Sequence, residues 1–291
     1  VDRVAARPNR RRDGPRVRLP DGRTLDHREY GDPRGYPVVN NHGGLMCGMD
    51  IEPADATAKE LGLRIISPDR PGIGDSTQLS GRTTGDWPAD VGALLRSLGI
   101  AECGAFGWSL GSDYALALGA AGVANRVVVV GGMPPSTPER LARLNRTDRV
   151  LSRLSQQHPA TARAAFVTMR TVAGLTHDAT ARMSGVDADA VRGFTQFPDW
   201  MRHALQQPQG MVEEYRAMCR PWGFDVADVG CPVDVWHGTQ DEYVPIDLGR
   251  ELAQQLPHAT MHEVADAGHF LAYSQWADVL APFATPARPA G

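Results

Sequence analysis

The short segment Gly107–Gly111, with the sequence GWSLG, constrains the fold of this chain more than any other stretch. An apolar run typical of a buried strand precedes it, and apolar side chains at helical spacing follow it. A Gly-x-Ser-x-Gly sequence between a strand and a helix is typical of a nucleophile elbow, whose bend leaves no room for a Cβ two residues away on either side. The helix that follows would direct backbone N–H groups toward a developing oxyanion. The segment predicts a nucleophilic Ser109, and a glycine-rich turn is the structural alternative.

The order of the other elements predicts a mostly parallel sheet. An antiparallel hairpin is expected at residues 16–30, and buried strands are expected at residues 37–41, 64–69, 103–106, 126–132, 232–238 and 260–264. Helices are expected at residues 55–61, after a cap at Thr84, after the elbow, at 248–256 and at 270–280, with a frayed tail from Pro282 onward. Strands that alternate with helices are typical of parallel sheets.

The alternation stops between residues 133 and 229, where only helical patterns are found. The predicted organisation is therefore a core at residues 16–132 and 230–291, a helical lid inserted at 133–229, and a disordered, arginine-rich leader at 1–15. Val150 and Val172 are expected on the buried faces of two lid helices. Six of the nine methionines fall in the lid, counting Met133, and they would serve an adaptable apolar pocket, the core of the lid itself, or both.

The composition narrows the class of protein. Hydrophobic residues make up 42% of the chain and charged residues 22%, which is typical of a soluble globular protein. The net charge of −4 argues against nucleic acid or an anionic membrane as a partner, and no run of eighteen apolar residues predicts a membrane span. The four scattered cysteines form no CxxC pair, so reduced thiols and a cytoplasmic location are expected, with a single disulfide as the alternative. The sequence does not indicate the oligomeric state.

Candidate partners for the serine lie at two later points of the chain. A serine hydroxyl needs a histidine base, which is itself oriented by a carboxylate. Asp241 follows the strand that ends near His237, and His269 lies in the loop before the last helix. The predicted triad is therefore Ser109, Asp241 and His269, in an order that α/β-hydrolases share.

The chain resembles the α/β-hydrolase superfamily, in particular lid-bearing, esterase-like serine hydrolases, from about residue 16 to residue 281. Five segments carry the resemblance in the expected order: His42-Gly43-Gly44, the loop at 69–76, the elbow at 107–111, the segment at 237–245, and Gly268-His269. The resemblance implies an eight-stranded, mostly parallel sheet flanked by helices. It also implies Ser109 as nucleophile, His269 as base and Asp241 as carboxylate.

The same resemblance places the oxyanion hole at the backbone N–H of Leu110 and at one N–H of the turn after the first buried strand. Leu45-Met46-Cys47 follows that turn where the family usually has proline, so Gly44 and Leu45 both remain candidates. Leu45, Trp108, Met133 and Phe270 are predicted to line the substrate pocket, although Trp108 could equally belong to the core.

Several other titratable residues near the motifs have alternative interpretations. Glu242 competes with Asp241 as the acid, whereas Asp266 is expected to be a solvated loop residue. Asp69 is expected to be architectural, and His42 is expected to shape its turn through hydrogen bonds. His258 and His262 are four residues apart but have no third ligand, so no metal site is predicted.

These residues predict a serine hydrolase that cleaves a carboxylic ester of a small or medium apolar substrate through an acyl-enzyme, with no metal or organic cofactor. A thioesterase, a lactonase, a C–C hydrolase or a cofactor-free peroxide enzyme would use the same residues. A different class remains open as well, namely a protein that binds a small apolar molecule without hydrolysing it, as a receptor or a biosynthetic catalyst.

Overall fold

The computed structural model describes residues 15–175, 185–192 and 194–284. Nearly all of the expected leader, most of the expected tail and Met183 lie outside the described residues. The described strands form one eight-stranded sheet. They are β1 Arg16–Arg18, β2 Thr24–Gly31, β3 Tyr36–Asn41, β4 Leu63–Pro68, β5 Gly104–Trp108, β6 Val127–Val130, β7 Val233–Gly238 and β8 Ala259–Val264.

The sheet has the order β1-β2-β4-β3-β5-β6-β7-β8. Its first two pairings are antiparallel, and the other five are parallel. The four valines of β6 are fully buried, as expected of a strand that helices cover on both faces. The sequence-based prediction of a mostly parallel, eight-stranded sheet flanked by helices is confirmed.

Eleven α-helices are found in the described parts of the chain. They are α1 Asp55–Glu60, α2 Trp87–Ser97, α3 Gly111–Ala120, α4 Pro138–Leu141, α5 Arg146–Gln157, α6 Pro159–Leu175, α7 Gly185–Ala190, α8 Phe197–Ala204, α9 Pro208–Met218, α10 Ile246–Gln255 and α11 Trp276–Ala284. Helices α4 to α9 all lie between β6 and β7, and we call this part of the chain the helical segment. None of the helices described has the length and apolar character that a bilayer span needs.

Three local predictions for helices were wrong. Thr83, and not Thr84, caps the turn before α2, because its backbone N–H and hydroxyl bond to Asp86 Oδ2 at 2.7 and 3.0 Å. Val150 and Val172 are 47% and 39% exposed, because the buried faces of α5 and α6 are centred on other side chains.

The end of the chain differs from the prediction as well. Residues 271–274 form a 3₁₀ turn, and α11 continues through Pro282 to Ala284. Proline removes one N–H in the last helical turn, but Val279, Leu280 and Phe283 stay buried and hold the helix in place.

The junction of β5 and α3 is packed too closely for side chains at its two glycines. A Cβ on Gly107 would lie 2.4 Å from the carbonyl oxygen of Gly111, and a Cβ on Gly111 would lie 1.9 Å from the carbonyl oxygen of Asn41. Both clashes are with backbone atoms, which cannot rotate away as a flexible side chain can. The predicted requirement for glycine therefore follows at Gly107 from the close approach of the start of α3, and at Gly111 from the packing of α3 against the end of β3.

Gly111→Ala should accordingly lower the free energy of unfolding by about 3 kcal/mol or more, because the helix must move away from β3. Chemical denaturation monitored by circular dichroism would measure the change. Gly230→Ala is the matched control, since its Cβ would have no atom within 4 Å and its backbone is not left-handed. Equal stability of the two variants would contradict the packing argument.

Candidate active site

Ser109 lies on a strained turn between β5 and α3. Its φ angle is +54°, a left-handed conformation that costs a non-glycine residue about 1–3 kcal/mol. The turn is held by hydrogen bonds on both sides, from Ser109 N–H to the Val130 carbonyl at 2.8 Å and from Ser112 N–H to the Ser109 carbonyl at 2.9 Å. The side chain is lifted out of the sheet as a result.

The structure brings Ser109, His269 and Asp241 together in one chain of hydrogen bonds. The Ser109 Oγ atom lies 2.8 Å from His269 Nε2, and His269 Nδ1 lies 2.8 Å from Asp241 Oδ2. Asp241 follows the end of β7, and His269 lies in the loop after β8, so both approach the carboxyl end of the parallel strands. An imidazole in this position can accept the proton of the serine hydroxyl while the carboxylate orients it.

Asp241 is buried but held as an anion. Its Oδ1 atom accepts the backbone N–H groups of Tyr243 and Val244 at 2.9 and 2.8 Å, and its Oδ2 atom lies 3.3 Å from His237 Nε2. Burial by itself would raise the pKa of Asp241, but the His269 imidazole and the hydrogen bonds from both histidines hold it well below the usual range. The carboxylate is therefore ionised at neutral pH.

The pKa of His269 shifts in the opposite direction. Burial would lower it, yet the charge and hydrogen bond of Asp241 raise it above the ordinary value of 6.5. A raised pKa makes the imidazole a stronger base toward the serine proton. It also favours the imidazolium that forms when this proton is transferred.

Three backbone N–H groups are available beside Ser109. The N–H groups of Gly44, Leu45 and Leu110 have no hydrogen-bond acceptor among the described residues, whereas Gly43 N–H already donates to Asp50 Oδ2 at 2.9 Å. Leu45 has a φ angle of +59°, so the turn is strained. Leu110 and the two adjacent residues of the turn thus remain candidates for an oxyanion hole, and the choice between Gly44 and Leu45 stays open.

The Arg70 side chain stabilises this turn through hydrogen bonds to its carbonyl groups. Its guanidinium donates to the carbonyl oxygens of His42 and Gly43 at 2.7 and 3.3 Å and to Glu214 Oε1 at 2.7 Å. Arg70 N–H donates to His42 Nε2 at 3.3 Å, which leaves the proton on Nδ1. Burial, followed by the charge of Arg70, lowers the pKa of His42 to about 3, so this neutral imidazole shapes the turn as the sequence predicted.

Ser109 lines a cavity of about 310 Å³ whose walls are mostly apolar. Leu45, Trp108, Met133 and Phe270, the four residues predicted for the pocket, all lie on its wall. Trp108 is also only 4% exposed and donates from Nε1 to the carbonyl oxygen of His269 at 2.9 Å, so it belongs to both the core and the wall.

The helical segment contributes a large part of the same wall. Besides Met133, the residues it supplies are Leu144, Asn145, Thr147, Asp148, Met169, Phe197, Met201, Tyr215 and Met218. Met211, by contrast, is fully buried and away from the cavity. The described methionines of the helical segment thus serve both predicted roles, since some line the cavity and Met211 packs in the core.

The other titratable candidates lie apart from this centre. Glu242 is exposed, and Asp266 is an exposed loop residue that accepts a hydrogen bond from Gln240 at 2.9 Å. His262 stacks on Trp236 and contacts Asp234 at 2.9 Å, whereas His258 is exposed.

Asp69 has an architectural position, as expected. It accepts Gly48 N–H at 2.6 Å and pairs with Arg28 at 3.0 Å. Together with Asp26 and His203 it forms the one cluster of potential metal ligands found in the described residues. Because Arg28 ion-pairs with both carboxylates, at 3.2 Å for Asp26, a guanidinium already offsets part of their charge.

Comparison with known proteins agrees with this architecture. Residues 36–274 match the family described as alpha/beta hydrolase fold. The chain belongs to the α/β-hydrolase family. This α/β hydrolase carries its candidate site at the carboxyl ends of parallel strands.

Two relatives match this hydrolase over most of their length. BpoC of Mycobacterium tuberculosis, named as a non-heme bromoperoxidase, is 28% identical over 242 residues, which cover 81% of this chain and 87% of BpoC. The non-heme haloperoxidase of Rhodococcus erythropolis is 26% identical over 258 residues, which cover 83% and 87%. An esterase structure from Thermogutta terrifontis matches with a TM-score of 0.67 at 20% identity, covering 94% of this chain and 100% of that one, and so shows the fold alone.

Three residues of this α/β hydrolase site were not predicted from the sequence. Tyr243 stacks on the His269 ring with centroids 5.0 Å apart, Glu214 pairs with Arg70, and Asp187 accepts the N–H of Phe270 at 2.8 Å. Tyr243 is two residues from Asp241, so the motif itself could have suggested it. Glu214 and Asp187 lie on helices with no catalytic pattern and meet the site only through tertiary folding.

Asp241→Asn should lower the pKa of His269 by more than about one unit, because the paired negative charge is lost. An NMR titration of the His269 ring, assigned by comparison with His269→Gln, measures this shift. Glu242→Gln removes the adjacent exposed carboxylate and should leave the pKa within about 0.2 units. A larger effect of Glu242→Gln would indicate that Glu242 is the partner.

Proposed function

We propose that this α/β hydrolase cleaves a carboxylic ester through an acyl-enzyme on Ser109. The observation that supports the proposal best is the continuous hydrogen-bond chain from Ser109 through His269 to a buried, ionised Asp241, at 2.8 Å for each link. The backbone N–H groups of Leu110 and of Gly44 or Leu45, which have no acceptor among the described residues, would serve as oxyanion donors beside the serine.

In the first half-reaction, Ser109 Oγ attacks the ester carbonyl carbon while His269 Nε2 takes the hydroxyl proton. The carbonyl oxygen becomes an oxyanion and accepts the backbone N–H groups. The imidazolium then protonates the leaving alkoxide oxygen, the C–O bond breaks, and the alcohol departs. In the second half-reaction, His269 deprotonates a water molecule that attacks the acyl carbon. The acid is released and Ser109 regains its proton.

The cavity favours a small or medium, uncharged acyl group. Its volume of about 310 Å³ lies at the low end of the range of small-molecule sites. The described residues of its wall include no lysine or arginine, and Asp148 and Asp113 are the acidic residues among them. An anionic substrate would therefore enter without a compensating charge. We further propose that the helical segment acts as the lid of this site, since it supplies much of the wall.

A second candidate function is peroxide chemistry on the same acyl-enzyme, in which hydrogen peroxide replaces water and releases a peracid. The two relatives named as haloperoxidases, which match more than four fifths of this chain, favour it. Bromide oxidation in the presence of acetate and hydrogen peroxide would distinguish this activity from ester hydrolysis alone.

Ser109→Ala should reduce ester hydrolysis at least about 1,000-fold and abolish labelling by a fluorophosphonate probe, because the covalent step requires the hydroxyl. Hydrolysis of p-nitrophenyl butyrate and mass spectrometry of the labelled protein measure the two effects. Ser112→Ala, one turn further along α3, is the matched control and should retain both. Absence of labelling in the native protein would instead favour a binding protein without hydrolysis.

The cavity also predicts selectivity for chain length. The kcat/KM for a four-carbon acyl ester should exceed that for a sixteen-carbon ester by about 100-fold, because the long chain does not fit between the walls. Met169→Ala should shift the preference toward longer chains, since Met169 lines the cavity. Met211→Ala truncates a buried methionine away from the cavity and should leave the chain-length profile unchanged. Equal shifts in both variants would contradict this assignment of the wall.

A further inference from the structure

A second carboxylate approaches the catalytic histidine from the helical segment. Asp187, on α7, is 6% exposed, and its Oδ1 atom accepts the N–H of Phe270 at 2.8 Å. A Cβ on Gly268 would lie 2.3 Å from Oδ1 and 2.7 Å from Oδ2. The carboxylate thus occupies the space beside the glycine and contacts the backbone on both sides of His269.

Burial of the Asp187 carboxylate costs free energy unless groups of the neighbouring loop stabilise its charge. No arginine or lysine of the described chain pairs with Asp187, and a buried carboxylate without a cation loses much of its hydration. Burial raises the pKa of Asp187, and the backbone N–H groups of Phe270 and His269 partly offset this rise. The loop that carries His269 is therefore the main stabilising partner of this charge.

We propose that Asp187 is a positioning residue for His269, which holds the loop at residues 268–270 from α7 and places a second negative charge beside the imidazole. The inference rests on the proposed function of His269 as the base. It implies that the contact between Asp187 and the loop of His269 affects the proton transfer by His269 as well as substrate binding.

The titratable groups around His269 come from β7 and the loop after it, from α5 and from α7. Asp241 and Tyr243 approach from the loop after β7, with His237 behind Asp241. Asp148 on α5 and Asp187 on α7 both contribute negative charge to the imidazole after the larger effect of Asp241. Because no cation faces the ring from these elements, loss of the Asp187 charge should make the imidazole less basic.

The contact between Asp187 and Phe270 also links His269 to the wall of the cavity. Phe270, whose N–H is held by Asp187, lines the cavity, and its ring packs 4.9 Å from Trp108 and 5.8 Å from Phe197, measured between centroids. Helix α7 also packs against the 3₁₀ turn at 271–274. A displacement of α7 would therefore disturb both the base and one side of the pocket.

Asp187→Asn separates charge from hydrogen bonding, because the amide keeps an acceptor oxygen for Phe270 N–H. In this variant the His269 pKa, read by NMR titration, should fall by roughly half a unit, and the acid limb of the kcat/KM profile should move down equally. The plateau kcat should remain within about twofold. Asp187→Ala also removes the acceptor, so kcat should fall roughly 10-fold with little change in KM.

Asp189→Asn is the matched control, since it makes the same charge change on α7 at an exposed residue that pairs with Arg192. It should leave the His269 pKa and kcat unchanged. A His269 pKa in Asp187→Asn equal to that in Asp189→Asn would overturn the proposal, as would equal kcat values for Asp187→Ala and the native enzyme. The NMR titration does not require turnover, so it tests Asp187 even if Ser109→Ala shows that the proposed hydrolysis is wrong.

Discussion

The close approach of α3 to the end of β3 determines where the groups of the candidate site can lie. The position that a Cβ of Gly111 would take is 1.9 Å from the Asn41 carbonyl oxygen and 2.7 Å from that of His42. This contact brings the helix that carries Leu110 N–H against the turn that carries Gly44 and Leu45. The strained Ser109 lies between them, so the proposed nucleophile and both candidate sides of an oxyanion hole depend on one backbone contact.

The helical segment is connected to the core by buried charges as well as by apolar contacts. Glu214 on α9 pairs with Arg70 and Arg82, and Arg70 also lies over the Tyr114 ring at 4.4 Å. Burial would raise the pKa of Glu214, but the two arginines lower it to about 2, so the carboxylate stays charged. Arg70 in turn donates to the His42 and Gly43 carbonyls. Glu214 of the helical segment therefore supports, through Arg70, the turn that carries the candidate oxyanion donors. Removing one partner from such a buried network is expected to cost about 3–5 kcal/mol.

The sequence predicted the residues whose roles depend on local backbone geometry. The elbow, the turn at His42 and the loops of Asp241 and His269 each carry their pattern within a few residues, so the strand order was enough to bring them to one edge of the sheet. Asn145 caps α5 by accepting Asp148 N–H at 3.1 Å, but leucines at helical spacing continue across the boundary between α4 and α5, so their spacing alone does not place this boundary. Glu214 and Asp187 could not be predicted, because their partners lie 144 and 83 residues away and no local pattern encodes such contacts.

The site is divided between the sheet core and the helical segment, and this division is relevant to how one fold can support different reactions. The serine, the histidine and the aspartate belong to the sheet core, whereas a large part of the cavity wall belongs to the helical segment. Proteins named as esterases and as haloperoxidases share this fold with the chain, so the fold does not select between water, peroxide and other acceptors. Under the proposed mechanism, selection would act on which molecule reaches the acyl carbon beside His269. Phe270, Tyr243 and Met133 share the cavity wall with Ser109 and His269, so we expect residues on the wall, and not those of the hydrogen-bond chain, to decide the outcome.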